Sequence, residues 1–97
     1  MSSDFTIQKE KSGSKGRFVI QANGEEAELT FSILSEQKVI ADHTGVPDSF
    51  RGSGAGKALV EALVKDARSA GYQVVPLCPF VLAQARRHPE WADVFTD

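Results

Sequence analysis

The amino-acid sequence predicts an α+β fold: an antiparallel meander of about four strands, a central helix, a parallel fifth strand and one or two C-terminal helices. Three observations support this prediction. Apolar and polar residues alternate through the first 44 positions, a glycine-rich turn follows at 51–56, and apolar residues then recur at helical spacing. The 97 residues suit a single domain over 1–97.

The alternation marks three strands, at about residues 5–10, 17–22 and 27–33, and a fourth strand follows at about 39–44. A short run of serine and glycine breaks the chain between the first two. Asn23-Gly24 is a strong signal for a two-residue hairpin turn, because both residues tolerate positive φ. We therefore expect these strands to pair in sequence order as an antiparallel sheet.

Two helices follow, separated by a short strand. Apolar residues over about 54–70 fall on one helical stripe, and Gly71 suits the left-handed conformation that ends a helix. Residues 74–77 are short and apolar, so they predict a strand that lies parallel to the fourth after the helical crossover. Proline at its first position favours a second helix over about 79–87, with a final turn over 89–95.

Composition and charge narrow the function classes. Hydrophobic residues make up 41% of the chain and charged residues 25%, as in ordinary soluble globular proteins. A net charge of −2 lacks the basic surplus of a nucleic-acid binder. The lone cysteine, Cys78, allows no internal disulfide, and no apolar run approaches the roughly 20 residues that span a bilayer. We expect a cytoplasmic protein with no metal and no nucleic-acid or membrane partner.

The turn at 51–56 is the clearest functional signal. Gly52, Gly54 and Gly56 alternate with small residues, so backbone amides in this loop can approach a ligand closely. The loop opens a helix, whose first amides have no intrahelical partner and carry partial positive charge. Arg51 and Lys57 flank the loop and add full charges. This combination favours an anionic ligand, above all a phosphate.

Glycine spacing distinguishes the phosphate loops. A Walker A loop requires a glycine and a Ser or Thr where this chain has Arg51 and Ala58. A dinucleotide fingerprint requires G-x-G-x-x-G within a larger parallel sheet, whereas the spacing here is G-x-G-x-G after an antiparallel meander. The turn instead matches the (Q/R)-x-x-G-x-(G/A) signature, and in this it resembles the GNAT superfamily of N-acetyltransferases.

The resemblance extends to segments 43–47, 50–56, 75–81 and 88–91, which read HTGVP, FRGSGAG, VPLCPFV and HPEW. Together they are similar to a branch of very small, stand-alone GNAT proteins, whose fold is of the three-layer α/β type. The resemblance implies that acetyl-CoA is the cosubstrate, with its pantetheine arm between splayed fourth and fifth strands. The residues implied to bind it are Thr44, Val46, Arg51, Gly52, Ser53, Gly54, Ala55, Gly56, Lys57 and Phe80.

Two side chains are candidates for the chemistry of acyl transfer. Cys78 falls between the fifth strand and a helix N-terminus, a position that lowers a thiol pKa. Its hypothetical roles are to accept the acetyl group and pass it on or to protonate the leaving thiolate; the alternative is a small buried hydrophobe. His43, expected on the same face of the fourth strand as Ala41, is either a base for an ammonium or a hydrogen-bonded structural histidine.

The acceptor half of the site is nearly absent from the sequence. Larger GNAT domains place one or two helices between their first two strands, and these helices shape the acceptor site; here only residues 11–16 separate the strands. The acceptor can be a small amine or a protein lysine, and a partner chain can complete the groove. The sequence decides neither the acceptor nor the oligomeric state. The alternative function is a CoA-binding interaction module with little or no catalysis, and a third is another phosphate-bearing ligand.

Overall fold

A computed structural model describes residues 5–22, 24–50 and 52–96. In chain order the elements are β1 (Ile7–Ser12), β2 (Lys15–Ala22), β3 (Glu25–Ser35), β4 (Lys38–Gly45), a 3₁₀ turn (Asp48–Phe50), α1 (Ala55–Ala70), β5 (Gln73–Pro76), α2 (Pro79–Arg87) and a second 3₁₀ turn (Pro89–Trp91). The strands form one sheet in the order β1-β2-β3-β4-β5. The first four are antiparallel and β5 is parallel to β4, which confirms the predicted fold class.

The hairpins join β1 to β2 and β2 to β3 directly. Gly13, with φ of 62°, lies in the first turn, and no helix intervenes between these two strands. β1 begins at Ile7, where its pairing with β2 begins, two residues later than predicted. It also ends later than predicted, because its polar C-terminal half still pairs with β2, as far as Ser12 opposite Lys15. In the second hairpin Ala22 pairs with Glu25; Asn23 of the predicted turn lies outside the described residues.

The core lies between α1 and one face of the sheet. Leu59 and Leu63 of α1 are fully buried, as are Ala27 and Leu29 of β3. Helical spacing on α1 and alternation on β3 bring these side chains together, which is why each element has one apolar face. None of the helices described here is long and apolar enough to cross a membrane.

A polar network ties β1 to the C-terminal half of α1. Lys9 Nζ lies 2.7 Å from a carboxylate oxygen of Asp66, which also accepts a hydrogen bond of 2.6 Å from the Tyr72 hydroxyl. The same ammonium lies 5.8 to 6.0 Å from the ring centroids of Phe18, Phe31 and Tyr72. Charge pairing and cation–π contact thus hold the edge strand over the core.

The ends of α1 and β5 are closed by backbone hydrogen bonds. Gly71 has φ of 82° and its amide bonds to the Ala67 carbonyl, so the predicted left-handed end of the helix is confirmed. On the outer side of β5, the Val74 amide bonds to the Val94 carbonyl and the Thr96 amide bonds back to the Val74 carbonyl. The C-terminal segment therefore covers this edge of the sheet.

Candidate functional site

The pairing between β4 and β5 ends before β4 does. The last parallel pair is Ala41 with Pro76, whereas β4 stays paired with β3 as far as Gly45. One further hydrogen bond, 3.0 Å from the Cys78 amide to the Ala41 carbonyl, lies at this junction. Among the described residues, β4 beyond Ala41 has no strand partner on the side of β5; that the two strands splay apart around a pantetheine arm stays a prediction.

A β-bulge in β4 decides which side chains face this junction. Thr30 of β3 pairs with His43, and the next residue, Phe31, pairs with Ala41. Asp42 is thus an extra residue in β4, and the alternation of faces skips one position there.

The bulge overturns the predicted side of His43. We expected His43 to share the face of Ala41, which is fully buried. Instead it lies across from Thr30 on the opposite face, and its side chain is exposed. Thr44 takes the core side, since it pairs with the fully buried Leu29. The prediction was wrong because simple alternation does not hold across a bulge; the role of His43 as a base stays a prediction.

Cys78 lies beside Thr44 at the N-terminus of α2. Its side chain is only 4% exposed, and its sulfur is 3.3 Å from Thr44 Oγ1. Burial raises the pKa of the Cys78 thiol, but the Thr44 hydroxyl and the backbone amides of Val81, Phe80 and Thr44 lower it by more, so the pKa lies below its usual value. A helix N-terminus that stabilises a thiolate is typical of reactive cysteines.

The glycine turn has a left-handed backbone that favours glycine, and open space surrounds it. Gly52 and Gly54 have φ of 77° and 82°, and a Cβ added at either position would meet no atom within 4 Å. The first hydrogen bond of α1 runs from the Ala58 amide to the Gly54 carbonyl, at 2.9 Å. Amides 55–57 therefore precede the intrahelical ladder at the positive end of the helix dipole. Amides in this position can bind an anionic group.

Ser53 stabilises the turn from within. Its amide donates to the Phe50 carbonyl at 3.0 Å, and its hydroxyl donates to the same oxygen. That hydroxyl also accepts a hydrogen bond of 3.2 Å from the Ala55 amide. The Ser53 hydroxyl is therefore bonded within the loop, and it supports a bound ligand by fixing the shape of the loop.

Gly56 is required for a different reason from the two glycines before it. Its φ is not positive, but an added Cβ would lie 2.7 Å from Phe80 Cζ. The Phe80 ring thus packs on the first turn of α1, which brings the start of α2 against the glycine turn. Phe80 is 37% exposed, so its ring adds apolar surface beside the turn; Val46, which follows β4, is 39% exposed. Arg51 lies outside the described residues, and Lys57 is exposed.

His88, the second histidine of the chain, makes structural contacts. Its amide bonds to the Ala85 carbonyl at the end of α2, and its ring stacks on Trp91 with centroids 4.2 Å apart. Its Nδ1 lies 3.1 Å from a Glu90 carboxylate oxygen. Across residues 5–22, 24–50 and 52–96, no three side chains of His, Cys, Asp or Glu are grouped as metal ligands would be.

Comparison with known proteins connects this geometry to a family. The sequence model of the GCN5-related N-acetyl-transferase family matches residues 17–94. The chain belongs to this family. The solution structure of a GCN5-like protein from Staphylococcus aureus superposes with a TM-score of 0.70, at 28% identity, over 97% of this chain and 90% of that one. A search of the curated proteins found no match.

Membership in the GCN5-related N-acetyltransferases supports an acetyl-transfer function for this chain. The matched region includes both halves of the site, the β4–β5 junction and the glycine turn. The structure brings Thr44 and Cys78 together, and separately brings Gly56 and Phe80 together. It leaves His43 on the other face of β4.

Two features of the site were not predicted from the sequence. Thr44 was expected only as a residue that lines the CoA arm, yet its side-chain hydroxyl contacts the Cys78 sulfur. The bulge at Asp42 was not predicted either, although a weak signal existed: Asp42, His43 and Thr44 are three successive polar residues after the apolar run 39–41, so neither part of the strand alternates. Such an interruption is compatible with a bulge, but only pairing with β3 fixes its position.

Proposed function

We propose that this protein is an acetyl-CoA-dependent N-acetyltransferase that acts on an amine. The observation that supports this most directly is the position of a buried, thiolate-favouring Cys78 at the point where β4 and β5 part, with the glycine turn at the start of the adjoining helix. Acetyl-CoA supplies the activated acetyl group. Amides of the turn and of the first helical positions bind its diphosphate, with Lys57 and Arg51 adding charge.

The junction then directs the thioester toward Cys78. Thr44 lies near the end of β4, Val46 follows this strand, and Phe80 lies at the start of α2; the exposed apolar atoms of Val46 and Phe80 suit the pantetheine arm. The acceptor amine must reach the thioester from solvent and lose a proton. His43 is exposed and is the candidate base for that proton.

Two roles for Cys78 remain distinct. In the first, its thiolate attacks the thioester carbonyl, the bond from that carbon to the CoA sulfur breaks, and CoA leaves as a thiolate; the amine then displaces Cys78 from the acetyl group. In the second, the amine attacks directly and the Cys78 thiol donates its proton to the CoA thiolate. The low pKa of Cys78 supports the first role, because a thiolate is the nucleophilic form.

Calorimetric titration with acetyl-CoA tests the binding site. Gly54→Ala has a matched control in Gly71→Ala, because both glycines have φ of 82°, lie at opposite ends of α1 and have open space around an added Cβ. We expect Gly54→Ala to weaken binding about tenfold or more, while Gly71→Ala binds like the wild type. No binding by the wild type, or equal losses in both variants, would reject the site.

Thiol release and intact mass test the transfer itself. Wild-type protein, Cys78→Ala and His43→Gln are incubated with acetyl-CoA and a panel of amines, including polyamines and lysine peptides. An acetyl adduct on the wild type that is absent from Cys78→Ala identifies the nucleophilic role. Lost turnover in Cys78→Ala with no adduct on the wild type identifies the acid role. Tight binding with no release for any amine would identify a CoA-binding module.

A further inference from the structure

The side chain of Thr44 reaches the Cys78 sulfur from β4. The Thr44 hydroxyl oxygen lies 3.3 Å from the sulfur, and the Thr44 backbone amide also contributes to stabilising its thiolate. The remaining contributors are amides at the start of α2, which belong to the same segment as Cys78 itself. Thr44 is therefore the residue of β4 that holds this sulfur from across the junction.

The bulge is what makes this contact possible. Uninterrupted alternation from the buried Ala41 would turn Thr44 to the opposite face, away from the core. The extra residue Asp42 restores Thr44 to the core side, where Leu29 is its partner on β3. Ser32 donates a hydrogen bond of 2.7 Å to the Asp42 carboxylate, which anchors the bulge to β3.

We propose that Thr44 is a positioning residue for Cys78, whose hydroxyl fixes the sulfur at the β4–β5 junction and donates a hydrogen bond to the thiolate. This inference rests on the proposed function, in which Cys78 takes part in acetyl transfer. When Cys78 is a thiol, either group can be the donor; when it is a thiolate, only the hydroxyl can be, so the contact favours the charged form. A valine at this position keeps the shape of the side chain and removes that donor.

The test compares Thr44→Val with Thr44→Ser, which keeps the hydroxyl. Cys78 is the single cysteine of the chain, so the ultraviolet absorbance of the thiolate, measured against pH with Cys78→Ala as the blank, reports this one group. The loss of a hydrogen bond to a charged group is expected to raise the titration midpoint by about one pH unit in Thr44→Val. Thr44→Ser is expected to stay near the wild type. Urea unfolding checks that each variant is folded.

The outcomes separate this inference from the proposed function. A folded Thr44→Val with an unchanged midpoint overturns the positioning role, as does a Thr44→Ser midpoint that moves as far as that of Thr44→Val. A raised midpoint restored by serine supports the role. If the midpoint moves and acetyl-transfer rates do not, the hydroxyl tunes the thiol as proposed, but neither of the two roles proposed for Cys78 in the transfer holds.

Discussion

Gly56 offers a sharp test of how the glycine turn is held against α2. Alanine at this position is compatible with the backbone, because φ is not positive. Its methyl group would lie 2.7, 3.1 and 3.5 Å from three atoms of the Phe80 ring. The ring must therefore move if Gly56 is replaced, and Gly56→Ala measures how much the packed position of the Phe80 ring contributes to the free energy of unfolding.

The magnitude follows from the exposure of Phe80. The residue is 37% exposed, so roughly two thirds of the 1.5–3 kcal/mol for burying a large apolar side chain is available, or about 1–2 kcal/mol. Expelling the ring costs up to this amount, whereas alanine gains about 0.5–1 kcal/mol over glycine in a helix. We expect Gly56→Ala to lower the free energy of unfolding by about 0.5–1 kcal/mol, which lowers the Tm by roughly 2–8 °C in a domain of this size.

A double-mutant cycle with Phe80→Ala isolates the contact. Without the ring, the alanine methyl meets no clash there, so Gly56→Ala should change sign and become stabilising by about 0.5 kcal/mol. Urea unfolding followed by the fluorescence of Trp91, the single tryptophan, measures all four proteins. Gly54→Ala is the control: its φ of 82° penalises alanine by about 1–2 kcal/mol in either background. Equal destabilisation by Gly56→Ala with and without Phe80 would refute the reasoning.

Three further predictions concern the scaffold. Leu63→Ala, at a fully buried position, should cost about 2–5 kcal/mol by urea unfolding, and a loss under about 1 kcal/mol would contradict its place in the core. Gly16→Ala should cost about 1–3 kcal/mol, because the new Cβ would lie 2.4 Å from Phe31 Cζ and 2.8 Å from a backbone carbonyl oxygen of β1; wild-type stability would show that the strand can shift. Burial raises the pKa of Asp66 but its bonds to Lys9 and a tyrosine hydroxyl lower it by more, so the folded pKa lies below the unfolded value and the stability it contributes is lost as pH falls below about 4. Unfolding curves at several pH values should therefore converge for the wild type and Asp66→Asn in acid, and a gap that is constant with pH would be evidence against this account.

The parts of the fold that could be predicted are those whose signals are local. The helical stripe of α1 and the left-handed Gly71 depend on residues within a few turns of one another, and both predictions were confirmed. The strand order follows from short hairpin connections, which leave little freedom for other pairings. The reasons for the glycines in the turn were only partly visible, because the contact of Gly56 with Phe80 joins elements that are distant in sequence.

The site depends on a feature that no local signal locates. From Val39 to Ala41 the burial of β4 alternates, and the next three residues are all polar, so the pattern by itself does not say where one face ends and the other resumes. The register with β3 decides it, by pairing His43 with Thr30 and Thr44 with Leu29.

The consequence is chemical. His43 and the hydroxyl that contacts Cys78 lie on opposite faces of one strand, so a base at His43 and a thiol at Cys78 cannot act on each other as a hydrogen-bonded pair across β4. They can act on the same reaction only if the acceptor amine and the thioester meet at the edge of β4 beyond the last β4–β5 pair, where β5 no longer pairs with that edge.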